Sequence, residues 1–288
     1  MNRMRVIWPA LAMLLSTQVA QAADDEPKRI IAIGSSITEI VYALGQQDRL
    51  VGRDRTSTYP TEAMNLPDIG YRRALSPEGV LSVEPDLVLA LEGSGPPEAI
   101  AVLQEAGVQY VTIKDEFSLE GVVEKIQTVG AVLGTDVAAE GLAAQTIRQI
   151  NQAELAASSA AGSNPKRVLF VLSVQDNRIT VGGMDTQADS IIRLAGGVNA
   201  AAKVSGYKPM TPEALVSAAP DVILMMDRRG DHNTEDAALF SLPAVKLTPA
   251  GQNKMLIRMQ GAYLLGFGPR TASAISDLSA ALQDEGGS

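Results

Sequence analysis

The sequence predicts an α/β protein: two lobes with mainly parallel sheets, joined by a single long α-helix. Three observations carry this. Short, nearly uninterrupted apolar runs, such as residues 29–33 and 167–172, alternate with helical stretches, which is the pattern of βαβ units. A Ser/Thr-Pro-Glu start followed by Pro-Asp and an apolar run occurs twice, around Pro77-Glu78 to Pro85-Asp86 and around Pro212-Glu213 to Pro220-Asp221, with the same spacing. Between the copies, residues 118–160 are rich in Ala, Gln, Glu, Leu and Ile and read as helical throughout.

Residues 1–23 read as a signal peptide. Arg3 and Arg5 precede a short apolar run, and Ala20-Gln21-Ala22 has small-x-small spacing. With no cysteine for lipid attachment, the expected product is a free periplasmic protein. The N-terminal lobe spans residues 28–113. Its first strand, 29–33, is followed by a helix for which Ser36 and Glu39 form a capping box, and by a short strand at 50–52. Pro67 and Gly70 place Tyr71 in a loop, and Ser76 with Pro77 starts the next helix. A strand at 87–91, a helix at 98–106 and a strand at 108–113 complete the lobe.

The helical segment, 118–160, breaks near Gly134, and its second helix, from about residue 137 to 158, joins the lobes. The C-terminal lobe spans residues 166–284. Strands are expected at 167–172, 180–183, 222–226 and 245–247, a helix at 186–194, and closing helices at 255–266 and 269–282.

Composition narrows the function. A net charge of −9 without any Lys/Arg run argues against a nucleic-acid partner. The absence of cysteine excludes thiolate sites and cysteine nucleophiles, and the single histidine, His232, excludes a multi-histidine metal site. With so few bases, most hydrolytic sites are hard to build, so the chain is expected not to be an enzyme; an exported enzyme on the same scaffold is the rival from another class.

Ligands of open parallel sheets bind beyond the carboxyl ends of the strands. There the charged loop holding Arg228, Arg229 and His232 follows one strand, and the Tyr71 loop carries Arg72 and Arg73. A phenol is a poor ligand at neutral pH unless a cation such as ferric iron stabilises the phenolate. In an extended loop, residues two apart project together, which would set Arg73 beside the phenol. From the residues alone, Tyr71 is either such a ligand or an ordinary surface tyrosine. Glu78 and Glu213 each stand in the first turn of a helix, where a carboxylate is favoured by the helix dipole. Met225 and Met226 read as core filling, and His232 as a solvated loop residue.

The segments Gly52 to Pro60, 66–90 and Gly93 to Pro97, with Thr180 to Gly183 and Gly206 to Glu213, resemble the periplasmic haem-binding proteins of bacterial ABC haem importers. The resemblance implies a helix-linked bilobal fold and haem as the transported ligand, held in the interlobe cleft. By motif position, Tyr71 is then the axial ligand of the haem iron and Arg73 its hydrogen-bonding partner, with Arg72 and Arg228 as further haem-binding residues. It also implies that Glu78 and Glu213 dock onto the importer's permease. Some members hold a second haem through a histidine where this chain has Ser173-Val174-Gln175-Asp176. Cobalamin or a ferric siderophore is the alternative ligand, and a monomer is expected.

Overall fold

The computed structural model describes residues 27–227 and 235–284. The expected signal segment, Arg228, Arg229 and His232 lie outside the described residues.

In the first lobe, β1 (Ile30–Ile33), α1 (Ser35–Ala43), β2 (Leu50–Arg53), the hairpin β3 (Gly70–Tyr71) and β4 (Ala74–Leu75), α2 (Pro77–Leu81), β5 (Leu87–Leu91), α3 (Pro97–Glu105) and β6 (Gln109–Ile113) follow in order. The main sheet runs β2-β1-β5-β6, with every pair parallel. Both faces are covered, which is why these strands read as continuous apolar runs. Ile30, Ala32, Leu87 and Leu89 enter one apolar cluster, while Ile31, Ile33, Val88 and Ala90 enter another.

Next come α4 (Leu119–Val132) and α5 (Asp136–Ala161). The 26 residues of α5 span about 39 Å at the α-helical rise. Its buried stripe, Ala139, Ala143, Thr146, Ile150, Ala153 and Ala157, is mostly alanine, so neighbouring helices approach closely. A Cβ built on Gly130 of α4 would overlap the Ala139 methyl.

The second lobe holds β7 (Arg167–Gln175), β8 (Arg178–Gly182), α6 (Gln187–Leu194), β9 (Val198–Asn199), β10 (Tyr207–Met210), α7 (Pro212–Ala218), β11 (Val222–Asp227), α8 (Asp236–Ser241), α9 (Pro243–Lys246), α10 (Pro249–Asn253), β12 (Leu256–Gln260), α11 (Gly261–Leu265) and α12 (Thr271–Gln283). Its sheet runs β10-β8-β7-β11-β12, with β9 added to the start of β7. The β7-β11-β12 centre is parallel, whereas β8 and β10 are antiparallel additions. Met225 is buried in this lobe's core.

The duplicated motif is a lobe-building device. In each copy the helix cap is a hydroxyl: Gly79 N donates to Ser76 Oγ at 3.2 Å, and Ala214 N donates to Thr211 Oγ1 at 3.2 Å. The Pro-Asp aspartate then ties down the start of the lobe's first strand. Asp86 accepts from the backbone N–H groups of Lys28 and Arg29, and Asp221 from that of Arg167. The repeat extends to side chains: Arg29 donates to the carbonyls of Val83 and Glu84, and Arg167 to that of Ala218.

Local expectations fail in four places. Residues 245–247 are not a strand: Pro243 opens the short helix α9. The expected helix 255–266 is β12 followed by α11, because Leu256–Gln260 pairs in parallel with β11. The α1 cap position falls on Gly34, with no side-chain cap bond, and Glu39 pairs with Arg270 instead of forming a capping box. Tyr71 stands in a hairpin, with Gly70 opposite Leu75 and Tyr71 opposite Ala74, rather than in an extended loop.

Candidate functional site

The Tyr71 hairpin is stitched across the carboxyl edge of the first lobe's sheet. Arg55 N, just past β2, donates to Gly70 O at 2.8 Å. Beyond β5, Gly95 N donates to Arg72 O at 2.9 Å and Gly95 O accepts from Leu75 N at 2.9 Å. Gly70 has φ +104°, a conformation that suits glycine at this entry to the turn. The hairpin is therefore held from two strand ends while Tyr71, 38% exposed, stays accessible.

The loop after β2 is itself rigid. Asp54 is fully buried, accepting from Gly34 N and Ser57 Oγ on one oxygen and from Thr56 N and Oγ1 on the other. Arg53 donates to Ala63 O and Asp54 O and lies 3.8 Å from Asp68.

Arg72 and Arg73 occupy the turn between the strands, so the two-residue alternation of an extended chain does not govern them. Arg72 turns toward the sheet edge, where its Nη1 donates to Glu92 O at 3.1 Å. Burial first, and Arg73 next, lower the Arg72 guanidinium; Asp115, Tyr71 and Asp54 act against this. Arg73 is exposed.

The second lobe meets the same edge. At the end of β12, Gln260 donates to Thr58 Oγ1 at 3.2 Å. Tyr207 packs edge-on against Phe170 and donates to Gln187 Oε1 at 3.0 Å. Burial raises its phenol, while Arg73 of the other lobe favours ionisation. The hairpin thus brings cations to the edge of the first lobe that Gln260 of the second lobe also reaches.

Glu78 and Glu213 stand apart from this wall, exposed in the first turns of α2 and α7. Glu78 Oε2 accepts from Ser76 Oγ at 2.6 Å, and this bond is the main reason its carboxyl is lowered. Among the described residues no group of three or more His, Cys, Asp or Glu is placed to hold a metal.

Sequence reasoning missed Asp115, Lys125, Tyr59 and Arg270. Lys125 Nζ is wholly buried and donates to Asp115 Oδ1 at 2.9 Å and to Phe267 O at 3.1 Å. Burial lowers it, and Asp115 raises it in part. The available signal was its place in the apolar stripe Val122, Lys125, Ile126, Val129, where a lysine is unusual.

A parallel sheet and a mixed sheet that meet along their carboxyl edges, spanned by one long helix, define a helix-linked, two-lobed α/β binding protein. Residues 30–263 match the periplasmic binding protein family, and the chain belongs to that family. Among solved structures, the chain is similar to the periplasmic haem-binding protein BhuT in complex with two haems (41% identity, TM-score 0.84, 89% of this chain and 98% of that one). It is also similar to the apo form of the periplasmic haem-binding protein RhuT from Roseiflexus sp. RS-1 (39% identity, TM-score 0.82, 89% and 98%). Curated relatives include the uncharacterised ABC transporter substrate-binding lipoprotein YvrC of Bacillus subtilis, 33% identical over 70% of this chain and 64% of its own length. A cobalamin-binding protein of Halobacterium salinarum is 29% identical over 73% and 56%. The alignments thus span less than two thirds of either curated relative. No helix among the described residues is long and apolar enough to cross a membrane.

Proposed function

We propose that the protein captures ferric haem in the interlobe cleft and delivers it to the permease of an ABC importer. The observation that carries this reading is the Tyr71 hairpin: an accessible phenol on a turn anchored from two strand ends, followed directly by two arginines. Tyrosinate is an established axial ligand of haem iron, and adjacent guanidinium groups favour the phenolate. The likeness to haem-binding proteins at 41% and 39% identity supports the same reading.

In this mechanism Tyr71 ligates the iron, exposed Arg73 hydrogen-bonds the Tyr71 phenolate and holds it charged, and Arg72 supplies fixed positive charge at the sheet edge. Arg228 would add a cation from the second lobe. The transported haem brings the iron; the chain supplies the axial oxygen and the charge around it. Glu78 and Glu213, at matching places in the two lobes, are proposed to dock on the permease, where charge pairing sets register and on-rate. The two-lobed boundaries, 28–113 and 166–284 around the 118–160 segment, belong to this proposal, as do the periplasmic location and a monomeric state.

A hemin titration tests the assignment. Wild type is expected to give a tyrosinate-type ferric spectrum and the Tyr71→Ala variant to lose it; an unchanged spectrum in the variant would sink the ligand assignment. Cobalamin is the second reading, favoured by the name of the relative from Halobacterium salinarum. Saturable cyanocobalamin binding, with none for hemin, would favour it.

A further inference from the structure

One buried charge plays no part in the capture of cargo proposed above. Lys125, on α4, has a side chain 0% exposed. Its Nζ donates to Asp115 Oδ1 at 2.9 Å and to Phe267 O at 3.1 Å, and lies 3.5 Å from Ser36 Oγ. Asp115, with a side chain 11% exposed, stands just past the carboxyl end of β6, on the sheet edge that carries the Tyr71 hairpin. Its backbone N–H donates to Glu92 Oε2 at 3.3 Å, and the carbonyl of the same glutamate accepts from Arg72 Nη1 at 3.1 Å. A short polar chain thus runs from Lys125 through Asp115 and Glu92 to the turn of the hairpin.

The charges along this chain act on one another. Burial and then Arg73 lower the Arg72 guanidinium, and Asp115 acts most strongly against them. Burial lowers the Lys125 ammonium, Asp115 raises it, and Arg72 lowers it again. In the second lobe, burial raises the Tyr207 phenol, Arg73 lowers it and Asp115 raises it. Asp115 therefore places a negative charge within reach of both the hairpin arginine and Tyr207. Left alone, that charge would repel an anionic cargo and, with exposed Glu92, would offset Arg72 and Arg73. Lys114 and Glu116 pair with each other and leave the balance unchanged. Lys125 tips it toward positive, and because it is buried its charge is screened less than that of a surface lysine. A buried ion pair adds little net stability over well-packed apolar side chains, so stability does not explain a lysine in the stripe Val122, Lys125, Ile126, Val129.

We propose that Lys125 is a specificity-determining residue that acts through Asp115: its ammonium cancels the Asp115 carboxylate from inside the lobe, so that the hairpin edge keeps the net positive charge that draws an anionic cargo. The inference rests on the reading given above for the cargo itself, a porphyrin with ionised carboxylates. Lys125 needs no contact with that cargo. It favours a cargo bearing carboxylates over an uncharged one of the same shape.

The first test needs no cargo. A neutral bimane label is attached through Ala74→Cys, opposite Tyr71 in the hairpin of a chain with no cysteine of its own. The ratio of its quenching by iodide to its quenching by uncharged acrylamide reports local potential, with accessibility divided out. Lys125→Met should lower the ratio about twofold, and Asp115→Asn should raise it by about as much. The Asp115→Asn/Lys125→Met double variant should return it to the parent's value. Charge produces opposite signs that cancel; a purely structural role would move all three variants the same way, and that result, or a ratio unchanged by Asp115→Asn, would overturn the proposal. Asp115→Asn keeps the test decisive if Lys125→Met does not fold. In the second test, unlabelled Lys125→Met should bind hemin about tenfold more weakly, while hemin dimethyl ester, whose carboxylates are blocked, should change by less than about twofold. Equal weakening for both porphyrins would overturn the proposal. A parent that binds neither porphyrin but shows the quenching pattern would sink only the haem assignment.

Discussion

Asp86 and Asp221 perform the same task in opposite lobes: each accepts a 2.8 Å hydrogen bond from the backbone at the start of its lobe's first strand, from Lys28 N and Arg167 N respectively. Hydrogen bonds to charged groups contribute about 1.5–3 kcal/mol, and these sites are exposed, which favours the lower end. Asp86→Ala and Asp221→Ala should each lower stability by about 1–2 kcal/mol, seen as earlier urea midpoints. Equal loss from the two lobes is the expected sign of a working repeat; loss from one alone would show that the repeat is sequence likeness without shared mechanics.

At the proposed ligand site, Tyr71 and Tyr207 should separate in function. Tyr71→Phe is expected to abolish the tyrosinate signature of the hemin complex, whereas Tyr207→Phe should keep it, because the Tyr207 hydroxyl already donates to Gln187. Absorbance titrations of both variants decide the matter, and loss of the signature in Tyr207→Phe with its retention in Tyr71→Phe would reverse the assignment.

Glu39 gives the stability a pH dependence of definite sign. Burial raises its carboxyl above the ordinary 4.5 despite Arg270 and Lys125. Between 4.5 and the folded value, the folded state holds more protons than the unfolded state, so the Glu39 contribution is full below pH 4.5 and is lost as pH rises through the folded value. Glu39→Gln, which cannot ionise, should remove that slope. Thermal melts of the two proteins across this acid range should therefore diverge as pH rises, with the variant gaining relative to wild type; parallel melting curves would refute the sign.

The caps link stability to docking. Ser76→Ala and Thr211→Ala each remove a helix cap, for an expected loss of about 0.5–2 kcal/mol. Only Ser76→Ala also frees Glu78, whose carboxylate accepts from Ser76 Oγ. If Glu78 docks on the permease, Ser76→Ala should slow haem uptake into permease-containing vesicles more than Thr211→Ala at matched stability.

Much of the architecture was legible because the burial pattern writes itself into the chain. The segments 30–33, 87–91 and 222–225 are covered on both faces and read as unbroken apolar runs. Leu256 to Gln260 was misread because its half-buried residues lack strand alternation and run directly into the helix Gly261–Leu265. The Tyr71 hairpin was invisible as a hairpin: two-residue strands carry no period, and the hydrogen bonds that fix it come from Arg55 and Gly95. Lys125 was passed over and Glu39 misread as a capping residue because each makes a contact with a residue more than 140 positions away, at Phe267 and Arg270.

The helix Asp136–Ala161 meets α4 where Gly130 faces Ala139, with no room for even one added methyl group. Because the contact lies near one end of a rod about 39 Å long, the helix behaves as a pointer pivoted at its base. A tilt of a few degrees, forced by a single extra carbon at position 130, would be magnified along the rod into a misalignment of the distant lobe. A mutation remote from the cleft would thus leave every ligand-contacting residue intact and still put the two walls out of register.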